Sequence, residues 1–298
     1  MHVFLTGASG YIGSAVLRAL IAHHHTVTAV LRSDEKAARA EEAGATAVVG
    51  DLTDLALVAR LAEQADAIVH TASAEDVDPD FIATVLTALE GTAKPFVHTG
   101  GIFTFGASGA ITEASPVAPP ALTAWRAANE ARVRTSAVRT TVVAPGIVYG
   151  HGAGIPTMFV PASDTPTPVR LVGDGTQRWT TVHVDDLAEL YVLAVERADQ
   201  DGYLVAASGH NPTVRELAQA GVEGQARVEG QPGSDGHTGS AVSVVAEPAD
   251  ESRARLGTDF ADALLLDQAA TGAYARSLGW QPSRPTLVEE LRNGYRAD

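Results

Sequence analysis

The 298-residue chain contains no cysteine. Disulfides, thiolate chemistry and cysteine-ligated metals are therefore excluded. Lysine is almost as scarce: Lys36 and Lys94 are the only two, and neither has a tyrosine four residues before it. Positive charge is short overall, with 21 Lys and Arg against 36 Asp and Glu, a net charge of −15. That balance disfavours nucleic acid and anionic membranes as partners and reads as a solubilising surface. No apolar run approaches the ~20 residues of a membrane span. The N-terminus shows neither a basic n-region nor a long apolar h-region, because Gly7 and Gly10 interrupt it early. The expectation is a cytoplasmic protein with neither a membrane nor a nucleic-acid partner.

What is present suits a large α/β protein. Hydrophobic residues make up 45% and charged residues 19%, enough for one large domain with an appended lobe. Strand-like runs at Val3–Thr6, Thr26–Leu31, Ala47–Val49, Ala67–His70, Phe96–Thr99 and Thr140–Ala144 alternate with helical patterns. The helices are predicted at Ile12–Ala22, Glu35–Ala43, Leu55–Leu61, Phe81–Leu89 and Ala124–Arg134. Continuous apolar strands between helices point to a doubly wound parallel sheet covered on both faces. Beyond Pro145 the chain turns rich in Gly and Pro; a helix at Val184–Glu196 and a strand at Tyr203–Ala206 follow. Residues 221–250 read as loop, and helices around Ala261–Leu278 and Thr286–Tyr295 close the chain. The expected division is a Rossmann-type domain over residues 1–150, to which 183–206 return, and a smaller α/β substrate lobe over 151–182 and 207–298.

The first loop carries the clearest chemistry. Thr6-Gly7-Ala8-Ser9-Gly10-Tyr11-Ile12-Gly13 follows the first strand and opens a helix. Gly7 suits a tight turn, Gly10 a backbone approach to pyrophosphate, and Gly13 close helix–sheet packing. Helix N-terminal amides then face the phosphates. The second strand ends in Leu31-Arg32-Ser33. An acid there would accept ribose hydroxyls; Arg32 instead offers a cation to a 2′-phosphate, with Ser33 as a donor and Lys36 nearby. The cofactor expected is NADP(H). Asp51-Leu52, after the third strand, suits an adenine contact, or Asp51 caps the next helix. His70-Thr71-Ala72-Ser73 ends the fourth strand, where small residues let backbone pass along a cofactor; His70 reads as an ordinary strand-end residue.

The glycine loop resembles the TGxxGxxG fingerprint of extended short-chain dehydrogenases/reductases. Further likenesses are Ala144-Pro145-Gly146-Ile147-Val148-Tyr149-Gly150, Gly173-Asp174-Gly175, the block Trp179 to Ala188, and Leu278-Gly279-Trp280-Gln281-Pro282. The resemblance implies that Pro145, Gly146 and Val148 border a nicotinamide, and that the chain pairs into a homodimer through sheet-flanking helices. It also exposes departures. Gly100 or Gly101 stands at the family's catalytic serine, leaving Thr99 as the nearest hydroxyl. Trp125-Arg126-Ala127-Ala128-Asn129 lies where Tyr-x-x-x-Lys belongs, so Trp125 takes the tyrosine position and Asn129 the lysine position. Indole gives up no proton at useful pH, while Asn129 can still bond a ribose hydroxyl.

Other proton donors are then sought by position. Tyr149 and His151 follow the sixth strand, and His151 has a suitable titration range. Thr99 can orient a substrate oxygen. Glu130 reads as a helix-surface charge. In His183-Val184-Asp185-Asp186, an aspartate capping the Leu187 helix is preferred to a metal pair, and His23-His24-His25 reads as a loop; no metal site is expected. Trp179 and Trp280 read as core. The expected activity is NADPH-dependent reduction of a small carbonyl or imine compound. An epimerase or dehydratase with tightly held cofactor, or a non-catalytic NADP(H) sensor, is the alternative.

Overall fold

The computed structural model describes residues 1–161, 167–197, 202–228 and 242–296. Seven strands form one sheet: β1 (His2–Thr6), β2 (Thr26–Leu31), β3 (Thr46–Val49), β4 (Ala67–His70), β5 (Phe96–Thr99), β6 (Thr140–Pro145) and β7 (Gly202–Ala206). Every pairing is parallel, in the order β7-β6-β5-β4-β1-β2-β3. The chain runs outward from β1 to β3, then returns to the other side of β1 at β4. Their carboxyl ends diverge there and leave the crevice in which doubly wound sheets bind ligands.

Parallel strands bury both faces, which is why these runs are apolar without alternation. One face is covered by α1 (Tyr11–Ala22), α2 (Asp34–Glu42) and α6 (Val184–Glu196), whose Val16, Leu20, Leu187 and Tyr191 join Leu5, Val69 and Val97 in one core. The opposite face is covered by α3 (Leu55–Gln64), α4 (Asp78–Leu89) and α5 (Ala124–Arg134), with Phe81, Val85 and Val133 packed on Phe4, Ile68 and Phe96. A third core, around Phe159, Trp179, Leu217, Leu264 and Leu291, lies in the lobe. That lobe is built from α7 (Val214–Val228), α8 (Ala249–Leu256), α9 (Thr258–Leu264) and α11 (Leu287–Arg292), while α10 (Ala273–Ser277) packs back against β7.

The C-terminal reading needs correction. Residues 221–228 continue α7 rather than forming loop, and α8 begins at Ala249; 229–241 lie outside the described residues. The stretch 261–278 is not one helix but α9, a short strand at Gln268–Ala270 and α10, broken at Gly272 in the left-handed region. The last helix is Leu287–Arg292, started by a Thr286–Glu289 capping box. Three short parallel pairs also went unread: Ile147–Tyr149 with Thr181–His183, Val169–Arg170 with Val244–Val245, and Ser108–Ile111 with Gln268–Ala270. Trp179 and Trp280 are buried, as read, and their indole N–H groups donate to Leu264 and Asp186 carbonyls at 2.9 and 2.7 Å.

Candidate functional site

Backbone contact builds the nucleotide end of the crevice. Gly7 turns with φ +75°, and a Cβ there would lie 2.7 Å from the Ala72 nitrogen and from Thr71 Oγ1. A Cβ on Gly13 would lie 2.0 Å from the Gly7 oxygen. Loop, helix α1 and the end of β4 therefore meet with no room for side chains. Gly10 caps α1 without a side-chain bond, so the first-turn amides stay open to an anion. Thr71 Oγ1 donates to the Thr6 carbonyl at 2.7 Å and fixes this junction.

A cavity of about 250 Å³ adjoins the loop. Gly7 and Ser9 line it on one side, Leu31, Arg32 and Lys36 on the next, and Asp51, Leu52, Ala72 and Ser73 on the rest. The residues expected to hold adenosine are thus brought together. The Arg32 and Lys36 side chains are exposed and make no hydrogen bond or ion pair among the described residues. Ser33 caps α2, its Oγ accepting from the Lys36 amide at 3.4 Å. Asp54, not Asp51, caps α3. Asp51 Oδ1 accepts from the Thr53 amide and hydroxyl at 2.9 and 2.8 Å, bonds that lower its pKa.

Beneath the loop lies a buried relay. Thr6 Oγ1 is 2.7 Å from His70 Nδ1, and His70 Nε2 is 3.2 Å from Asp78 Oδ1. Asp78 also accepts from the Ala74 amide at 3.0 Å and the Ser73 hydroxyl at 3.3 Å. Burial raises the Asp78 pKa, but the His70 bond and charge outweigh it and the net shift is downward. His70 is thus more than a strand end: it positions the segment that lines the cavity. His98 stacks 5.5 Å from His70, and burial holds its pKa down at about 3.

The far end of the crevice differs from expectation in several ways. Thr99 Oγ1 donates to the His70 carbonyl at 2.7 Å and lies 2.6 Å from the Tyr191 hydroxyl, so its proton is already committed. Tyr149 is 1% exposed and its hydroxyl donates to the Pro285 carbonyl at 2.8 Å. The structure does not bring it to the crevice, because the strand Ile147–Tyr149 turns its ring into the lobe core. Glu130 is 3% exposed rather than on the surface. Thr104 and Tyr203 hydroxyls donate to it at 3.1 and 2.8 Å, while burial raises its pKa. Glu130 Oε1 fills the space above Gly100, lying 2.7 Å from where a Cβ would stand. Trp125 is half-buried and carries the Arg126 guanidinium 4.6 Å above its ring. Asn129 is buried, and its Nδ2 has no partner among the described residues. Val148 is half-buried beside buried Pro145 and Gly146.

Tyr11 and His151 join the crevice to the lobe. The Tyr11 hydroxyl donates to the Gly150 carbonyl at 2.8 Å. His151, at φ +51°, is exposed and its Nε2 lies 3.1 Å from Asp185. His183, rather than either aspartate, caps α6, its Nδ1 accepting from the Asp185 amide at 3.1 Å. Asp186 accepts instead from the Ser283 and Arg284 amides. The potential ligand atoms of His151, His183 and Asp185 lie within 4.8 Å of one another. However, His183 Nε2 faces Glu290 at 3.1 Å, and Arg284 and Arg18 approach Asp185 at 3.3 and 3.8 Å. The capping bond of His183, the contacts to Glu290 and Asp185, and two arginines already engage this cluster. Sequence reasoning missed Arg126, His98, Tyr191 and Tyr203. Only Arg126 had a signal, its place beside Trp125.

A dinucleotide fits these residues: a cradle that any Cβ would fill, open amides, two cations at the end of β2, and an orphaned buried amide at Asn129. Residues 3–206 match the family model described as "NAD dependent epimerase/dehydratase family". "Uncharacterized protein C2A9.02" of Schizosaccharomyces pombe is 28% identical, covering 98% of each chain. A Stigmatella aurantiaca protein named "4-hydroxy-2-methyl-3-oxo-4-farnesyl-3,4-dihydroquinoline-1-oxide ketoreductase" is 28% identical over 66% of this chain and 65% of its own. The human epimerase family protein SDR39U1, solved with NADPH, superposes with a TM-score of 0.72 at 21% identity, over 98% of each chain. Among the described residues, no helix is long and apolar enough to cross a membrane.

Proposed function

Because the chain belongs to the NAD dependent epimerase/dehydratase family, we propose that it is an NADP(H)-dependent reductase of a small carbonyl or imine compound. The observation that carries the reading is the end of β2. Arg32 and Lys36 line the cavity there, and no acid stands at that strand end to receive ribose hydroxyls. Bound NADPH supplies a hydride. The amides of α1 would hold its pyrophosphate, and Asn129 Nδ2 would be the donor to the nicotinamide ribose in place of lysine. Thr99, locked by the His70 carbonyl and Tyr191, would shape the wall of the site rather than give a proton. The oxygen or nitrogen of the reduced carbonyl or imine would take its proton from water or from His151. The ketoreductase relative favours the same reading.

The test is steady-state oxidation of NADPH and NADH across a carbonyl and imine panel, with Arg32→Asp beside the unaltered protein. Arg32→Asp should shift preference toward NADH; unchanged preference would refute the cofactor assignment. An epimerase or dehydratase would consume no net NADPH, and a sensor would bind it without turnover. The loss of Tyr-x-x-x-Lys and of the serine favours the sensor as the second reading.

A further inference from the structure

We propose that the first half of α5 is an anion cradle, and that the substrate carries a carboxylate next to its carbonyl group, as a 2-oxo acid does. This rests on the reductase reading and names its substrate class.

The carrier is Arg126. Its side chain is half-buried and lies over Trp125, yet it has no hydrogen bond or ion pair among the described residues. The natural partner one helical turn on, Glu130, is taken by Thr104 and Tyr203. Asp78 is taken by His70, Ser73 and the Ala74 amide. Asp78 and Glu130 offset the charge of Arg126 at a distance, yet its N–H donors have no bonded acceptor among the described residues, so the guanidinium suits an incoming carboxylate.

A second observation points to the same place. Four buried side-chain atoms lack a partner among the described residues: His98 Nδ1, Thr123 Oγ1, Asn129 Nδ2 and Arg139 Nε. Of these, Thr123 Oγ1 lies at the start of α5 and is not used by the dinucleotide, whereas Asn129 Nδ2 is assigned to the ribose. Thr123 precedes α5 and is 9% exposed, but makes no capping bond. Thr123, Arg126, Asn129 and Glu130 share roughly one third of the helix circumference. One guanidinium beside the carboxyl groups of Glu130 and Asp78 is too little positive charge for a dianionic phosphate and limits the ligand to a single carboxylate. The guanidinium fork can donate to both carboxylate oxygens.

The experiment is calorimetric titration with oxamate, an unreactive 2-oxo acid analogue, and with uncharged oxamide. It is run with and without NADP+, so the preference is read even where dinucleotide binding fails. Oxamate should bind about tenfold tighter than oxamide. Arg126→Met should abolish the preference and Arg126→Lys retain part of it, with thermal unfolding of both variants still cooperative. Equal binding of the two ligands, or a preference that survives in Arg126→Met, would overturn the proposal. If oxamate binds through Arg126 but no 2-oxo acid is reduced, the cradle stands and the reductase reading falls. If neutral carbonyls are reduced without any oxamate preference, the reverse holds.

Discussion

Replacing Gly13 by alanine attacks the junction on which the nucleotide site is built. The added methyl would stand 2.0 Å from the Gly7 oxygen and 2.6 Å from the Gly7 carbonyl carbon and Thr71 Oγ1. Two of these three atoms are backbone, so no rotamer relieves the clash and α1 must retreat from the sheet. Overpacking of this kind costs about 2–3 kcal/mol. In a chain of this size that lowers Tm by roughly 4 °C. Retreat also moves the open amides of α1 off the pyrophosphate, and NADPH affinity should fall at least about tenfold, the equivalent of one charge-assisted hydrogen bond. Gly10→Ala is the control. Its methyl meets only the Gly7 oxygen, at 3.2 Å, so stability should stay within roughly 0.5 kcal/mol while NADPH binding weakens through the ligand's own clash. Differential scanning calorimetry and NADPH titration read both effects. A Gly13→Ala protein with unaltered Tm and affinity would refute the packing argument.

Three other perturbations follow from buried groups. Native His98 takes no proton until about pH 3, whereas its ordinary value is 6.5. Between those values the unfolded chain binds one proton more, so stability should fall as pH drops through this window, by roughly 1 kcal/mol per unit. His98→Leu should flatten that slope in urea melts at pH 4–6, and an unchanged slope would exclude His98 as its source. Glu130→Ala removes the acceptor of two buried hydroxyls and should cost about 2–4 kcal/mol in urea unfolding; a loss below roughly 0.5 kcal/mol would mean a surface charge after all. Tyr149→Phe should keep full turnover and lose about 1 kcal/mol of stability, because its hydroxyl serves the Pro285 carbonyl rather than substrate. A large drop in kcat at unaltered KM would return Tyr149 to the chemistry.

The parallel sheet and the glycine loop were legible because their signals are local. Val3–Thr6 and Thr26–Leu31 are apolar throughout, and Gly7, Gly10 and Gly13 answer to turn and contact geometry within one short segment. The lobe was not legible for the opposite reason. Pairs as short as Val169–Arg170 with Val244–Val245 show no period, and their partners lie far apart in sequence. The catalytic end failed more instructively. Trp125 and Asn129 were read by position in a motif, while Glu130, read as a surface charge, turned out as buried as Asn129. Which face of α5 packs depends on α4 and β6, and no pattern within 124–134 reports it. Likewise Tyr149 looked available by its place after a strand, and only the short pairing with Thr181–His183 shows why its ring is turned away.

The most direct measurement is a calorimetric titration of the purified protein with NADPH and with NADH, repeated on Arg32→Asp. NADPH should bind about tenfold or more tightly than NADH, and Arg32→Asp should erase that difference while NADH binding persists. Equal affinity for the two dinucleotides, or a preference that survives Arg32→Asp, would contradict the assignment of the β2 end to a 2′-phosphate.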